Sequence, residues 1–299
     1  MATDPRRLQH ERIVREIERI HLEAQRTIAA QAMAALRSGD LSTARGRRLQ
    51  LAAVVATLDQ LGARVDPMAR RLIEDAVREA AEVTATQIAA LEVTAPEIPG
   101  AFASVSREAV ATLHESIENG LRAARTTVGR AVNDIYAREQ RAAALRAVLG
   151  ADPSPREAQR ELARRLLRDR QVQRLFAQDG VTGFVDRAGK RWSLRAYSNM
   201  AVRTVTREAV VQGQLARMAA HGIDLARVSR HGSTCDICRP WEGRLVSLDG
   251  STASYEGEAV ATLGALPNGG PPFHPNCKHS FQPVAVRIER LARQLQGVT

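Results

Sequence analysis

The sequence predicts a mainly α-helical protein: a long-helix N-terminal region followed by a small α+β C-terminal domain stapled by zinc. Three observations predict it. Apolar residues recur at helical spacing, with few aromatics, almost as far as Gly180. Seven of the ten aromatic residues and half of the prolines come after that glycine. All three cysteines, Cys235, Cys238 and Cys277, fall in one C-terminal stretch together with His274. A chain of 299 residues suits one large or two modest domains. The change of texture sets the boundary near residue 180, giving an elongated helical region over 1–180 and an α+β domain with metal knuckles over 181–299.

The first helix begins at Pro5, where Asp4 offers an N-cap acceptor before a proline suited to the first turn. Ile13, Ile17, Ile20, Ala24 and Ile28 give it a narrow apolar stripe, and it should end near Ser38-Gly39-Asp40. A second helix runs to Gly62. Asp66-Pro67 repeats the cap signal and opens a third, which continues to about Glu92, where Pro96 and Pro99 break the pattern. A fourth spans roughly Ser106 to Leu149, weakened at Gly120 and Gly129 by about 1 kcal/mol each relative to alanine. Asp152-Pro153 opens a fifth, to Gln178. Such narrow, alanine-rich stripes make a shallow core, and they suit helices that pack against one another or against other chains.

Beyond Gly180, Val181–Val185 and Arg191–Leu194 flank Asp186-Arg187-Ala188-Gly189-Lys190 and read as a β-hairpin. Ser193 then caps a helix from about Arg195 to His221, and Gly222 supplies its left-handed stop. Leu225–Arg230 and Arg244–Leu248 read as strands on either side of the first cysteine pair. A Gly/Pro-rich loop, Leu266–Pro272, precedes the second.

Charge and hydropathy exclude several classes. No run approaches the ~18 apolar residues that a membrane span needs. The N-terminus lacks the basic-then-apolar order of a signal peptide, so the product should fold in a cytoplasm. The formal charge of +10 comes from 43 basic against 33 acidic residues and is spread along the chain. It reads either as attraction to phosphate or an acidic surface, or as solvated arginine-rich helix faces. The sequence contains no G-x-S-x-G, P-loop or H-E-x-x-H motif, and no helix-turn-helix or finger spacing.

The chemistry is concentrated in two short pairs. Cys235-Asp236-Ile237-Cys238 is a C-x-x-C pair and His274-Pro275-Asn276-Cys277 an H-x-x-C pair, with His279 two residues on. Two intervening residues let a tight turn aim both side chains at one cation, and two such turns close a tetrahedron. Thiolate and imidazole favour Zn²⁺. The expected ligands are Cys235, Cys238, His274 and Cys277, with His279 and His231 as alternates to His274. A redox pair would need a βαβ context that the sequence lacks. A shell of three cysteines and one histidine is of the structural kind, so no catalytic residue is assigned, although Asp236 and Glu242 lie close by. Trp241 is expected to pack over the metal loop, with Gly243 permitting a tight turn.

Separate blocks of this region also resemble a known family. They are Trp192-Ser193-Leu194, Tyr197–Thr204, Val228–Gly232, Arg239–Arg244 and Asn276–Phe281, in that order. Together they resemble the tailed-phage minor capsid protein 2 family, itself similar to the wider Mu F-like head morphogenesis group. The C-x-x-C with H-P-x-C pattern is closer to the Mu F-like branch. The resemblance implies a virion structural protein encoded near the portal and used in head assembly or DNA packaging. It further implies a portal or major capsid protein partner, non-specific contact with packaged DNA, no membrane, and multiple copies in the capsid interior or at the portal vertex. It carries over no catalytic residue. Two other functions remain open: a metal-dependent nuclease of the histidine/cysteine-rich kind, and a sequence-independent DNA-binding module.

Overall fold

The computed structural model describes residues 5–38, 41, 43–91, 101–148, 183–185 and 191–284. It is mainly helical, with a small strand-containing C-terminal part. The long helices are α1 (Pro5–Ser38), α2 (Ala44–Ala90), α3 (Ala101–Val148) and α4 (Leu194–Ala220). The strands are β1 (Gly183–Val185), β2 (Arg191–Ser193), β3 (Leu225–Val228), β4 (Leu245–Ser247), β5 (Ser254–Tyr255), β6 (Glu258–Ala259), β7 (Ala261–Thr262) and β8 (Phe281–Pro283). The expected helix over 152–178 and the boundary near 180 lie outside the described residues. By compactness the chain divides into one unit of residues 1–68 and 118–199 and another of 69–117 and 200–299.

One expectation needs correcting. The second and third helices are a single helix, α2, which runs through Gly62 and Pro67 without a break. The two local signals are both used for something else. The Asp66 carboxylate does not cap a helix; it accepts two parallel bonds from the Arg125 guanidinium, at 2.9 Å each. Gly62 does not stop a helix either, since a Cβ there would meet the Arg125 guanidinium carbon at 2.9 Å. The glycine makes room for the arginine. A proline inside a helix costs about 3 kcal/mol. Burial of Leu58, Leu61 and Val65 before it, and of Leu72, Ile73 and Val77 after it, outweighs that cost at roughly 1.5–3 kcal/mol per large side chain.

In the first unit most of the expected stripe of α1 is buried: Ile17, Ile20, Ala24 and Ile28 are in the core, whereas Ile13 is only half-buried and its neighbour Val14 takes the buried position. So are Leu121, Ala124, Val128, Val132 and Tyr136 of α3. Gln31 and Thr57 bond side chain to side chain at 3.1 Å, and Arg195 pairs with Glu18 at 2.8 Å. The β1–β2 hairpin forms in the expected place, with Phe184 opposite Trp192. Ser193 caps α4 as expected, its hydroxyl accepting from the Ala196 N–H at 3.1 Å, which contributes about 1 kcal/mol.

The second unit holds the four-stranded sheet, in the order β7-β4-β3-β8. β3 pairs antiparallel with both β4 and β8, and β4 pairs parallel with β7. Helix α4 packs on this sheet, its Val211 and Met218 joining Ala226, Val228, Val246 and Phe281 in one core. The helix ends as the sequence expects: Gly222 takes φ 64°, and the Ile223 N–H reaches back to the Met218 carbonyl at 2.9 Å. Gln214 of α4 accepts a bond from the Phe281 N–H at 3.1 Å, fastening β8 to the helix. Elsewhere on α4, Gly213 lies against α2, where an added Cβ would stand 2.3 Å from the Val77 carbonyl oxygen.

That approach involves backbone on both sides, so neither helix can yield locally. Gly213→Ala is expected to destabilise the protein by about 3 kcal/mol, the upper end of overpacking costs. Gly264→Ala, where nothing lies within 4 Å, should be neutral. Thermal or urea unfolding of the two variants checks this, and equal midpoints would contradict the close crossing.

Candidate metal centre

The strand register assembles the site. Val228, the last residue of β3, pairs with Phe281, the first of β8. One step further the Ser229 N–H donates to the Ser280 carbonyl at 2.9 Å, and the Ser280 N–H donates to the Ser229 hydroxyl at 3.0 Å. On the other side of β3, the Gly243 N–H donates to the Val228 carbonyl at 2.9 Å. The loop after β3, the turn before β4 and the approach to β8 therefore meet at one end of the sheet. They carry the C-x-x-C pair, Glu242 and the H-x-x-C-x-H segment respectively.

Each ligand pair closes on itself. The Arg239 N–H donates to the Cys235 carbonyl at 2.9 Å, and the Cys277 N–H to the His274 carbonyl at 3.1 Å. The second turn requires a left-handed residue, which Asn276 supplies at φ 63°. The two turns face each other. Cys238 Sγ lies 3.0 Å from His274 Nε2 and 3.9 Å from Cys277 Sγ, while Cys235 Sγ lies 3.4 Å from His274 Nε2. Cys277 Sγ is 3.4 Å from His279 Nδ1. All three cysteines are free thiols. The donors form two groups, Cys235–Cys238–His274 and Cys238–Cys277–His279, each with its ligand atoms mutually within 4.8 Å, and either could hold a metal ion.

All four expected ligands are thus in the cluster, with Cys277 joined to the others through Cys238. His279, an alternate in the sequence, is buried beside Cys277. His231 is in neither group. Its Nε2 faces the Ser229 hydroxyl at 3.0 Å, and its ring stands edge-on to His279, with centroids 5.1 Å apart. Trp241, expected over the metal loop, is partly buried against the core that includes Cys238 and Cys277. Gly243 turns at φ 76°, with the Arg230 guanidinium where a side chain would have been.

The donor chemistry fits a soft cation. Backbone N–H groups of Cys238 and Ile237 point at the Cys235 sulfur and lower its pKa, favouring the thiolate a metal needs. Burial, and then the neighbouring Cys277, push the Cys238 thiol up to about 12. A bound cation reverses that preference, because a coordinating thiol is deprotonated outright.

Sequence reasoning missed the role of Glu242. One carboxylate oxygen accepts from His279 Nε2 at 2.8 Å, from the His231 N–H at 2.9 Å and from the Ser233 N–H at 3.0 Å. The bond with His279, followed by that with the His231 N–H, lowers the Glu242 pKa to about 2. No local motif signals this, since the donors lie 9, 11 and 37 residues away in the chain. A carboxylate behind an imidazole that faces a metal-binding group fixes the tautomer and ring orientation of that imidazole.

Glu242→Ala removes the common acceptor of three donors, whereas Glu242→Gln keeps an oxygen in place. The alanine variant should show a clear drop in Tm and faster hydrogen exchange at His231 and Ser233, with the glutamine variant intermediate. Unchanged exchange at both amides would contradict the assigned bonds.

The family model described as phage minor capsid protein 2 matches residues 46–297. No curated protein and no solved structure matches the chain.

Proposed function

The chain belongs to the phage minor capsid protein 2 family, and from that premise we propose how it serves the virion. Membership makes it a structural protein of the phage particle with a part in head assembly. The chain acts at the capsid interior or portal vertex, in multiple copies. It binds the portal protein or the major capsid protein through the outer faces of its long helices and makes non-specific contact with packaged DNA. Support comes from α1, α2 and α3, each of 34 residues or more, which bury one stripe and leave charged faces outward. Leu49, Val55 and Val83 are exposed on α2, and the formal charge of +10 suits proximity to phosphate.

Within this role the metal centre is a structural staple. Zn²⁺ held by Cys235, Cys238, His274 and Cys277 joins the loop after β3 to the segment before β8. The single observation that carries the reading is the convergence of four sequence-distant soft donors, within a family-wide match, at the end of a sheet only a few residues wide. A short sheet has little core of its own, and a cation that links its loops contributes folding energy directly. Glu242, a carboxylate beside the cluster, is occupied by three donors, an arrangement that supports scaffolding over hydrolysis.

Chelation of the purified protein with phenanthroline is expected to lower its Tm, and added Zn²⁺ to restore it. Cys238→Ser should mimic the chelated state, and a Tm indifferent to chelation would contradict the staple. In purified virions, quantitative mass spectrometry should find the chain at a small multiple of the portal copy number. Absence from particles, or parity with the major capsid protein, would sink the assignment of place.

A further inference from the structure

Five soft donors converge on the cluster, one more than a tetrahedral zinc shell uses. Hydrogen bonds outside the cluster settle which nitrogen each imidazole turns inward. The Pro275 carbonyl can only accept, so His274 carries its proton on Nδ1, 2.8 Å away, and presents a bare Nε2 to Cys235 and Cys238. The Glu242 carboxylate likewise takes the proton of His279 Nε2, leaving a bare Nδ1 against Cys277. A bare nitrogen beside a thiol accepts its S–H, and beside a thiolate it becomes a second lone-pair donor to any cation placed between them. That pairing arises at two places, and Cys238 is the one residue common to both groups.

We propose that the cluster takes two thiophilic divalent cations, one on Cys235, Cys238 and His274 and the other on Cys238, Cys277 and His279, with the Cys238 sulfur bridging them. The inference rests on the metal reading above and extends it: Cys277, the fourth donor of a single-ion shell, serves the second ion. Charge favours the pair. Three thiolates carry three negative charges, of which one dication offsets two and a second offsets the rest, beside the Glu242 carboxylate already held by three N–H donors. Cys238, Cys277 and His279 are all buried, and uncompensated charge in such a place is costly. A thiolate sulfur has lone pairs enough to bind both ions. Each ion then has three protein donors and one further position, which water can fill.

The test is the metal content of the full-length protein, purified with Zn²⁺ and freed of loosely held metal, read by native mass spectrometry and elemental analysis. Two ions per chain are expected in the wild type. His274→Ala and His279→Ala should each retain one, and His279→Cys, which replaces one soft donor with another, should retain two. That last variant separates loss of a donor from failure to fold. After Co²⁺ substitution, the paramagnetic resonance signal should fall well below that of two isolated ions, because a thiolate bridge couples their spins. One ion per wild-type chain, whichever histidine holds it, overturns the second site and leaves the staple standing. No ion in any form overturns both.

Discussion

The antiparallel pairing of β3 with β8 is the constraint on which the functional end of the molecule depends. Residues 226–228 and 281–283 share three register positions, and the hydrogen bonding continues one step further through Ser229 and Ser280. From that point a C-x-x-C turn and an H-x-x-C turn, separated by about three dozen residues of chain, have no choice but to face each other. Without the pairing, closing so long a loop has an entropic cost that grows with loop length. With it, that cost is met by backbone bonds and by the Phe281 side chain, which is wholly buried against α4. A slip of one residue would turn Phe281 outward and carry His279 away from Glu242.

Around this pairing the polar groups are arranged so that few are left to water. Glu242 binds the loop that leads into the first knuckle and the histidine that follows the second, so one carboxylate joins both halves independently of any cation. Ser229 does the same on a smaller scale, touching His231 and the Ser280 amide. The cluster is therefore pre-formed by protein contacts, and a metal entering it does not have to organise the loops from nothing.

The helical part follows a different logic. Its apolar stripes are narrow, and polar clamps between helices, such as Arg125 with Asp66 and Arg195 with Glu18, add to the apolar burial. Small residues permit close approach where it is needed. Gly62 admits a guanidinium and Gly213 admits the Val77 carbonyl. The exposed faces remain strongly charged.

Much of this was legible in the sequence because it is local. Most of the α1 stripe, the Ser193 cap, the Gly222 stop, both sheet-forming runs about the first knuckle and the two turn-forming pairs Cys235/Cys238 and His274/Cys277 all follow from spacing and residue type. Those signals act within a few residues, where short-range sterics and hydrogen bonding decide the outcome. What only the tertiary structure decided is every case in which a distant group takes over a local signal. Asp66-Pro67 reads as a helix start until Arg125, 59 residues away, claims the carboxylate, and burial on both flanks of α2 carries the helix through the proline. Glu242 reads as an unremarkable neighbour of the knuckle until the fold brings His279 to it. The inward nitrogen of His279 is set in the same way by Glu242, whereas that of His274 is set locally by the carbonyl of adjacent Pro275.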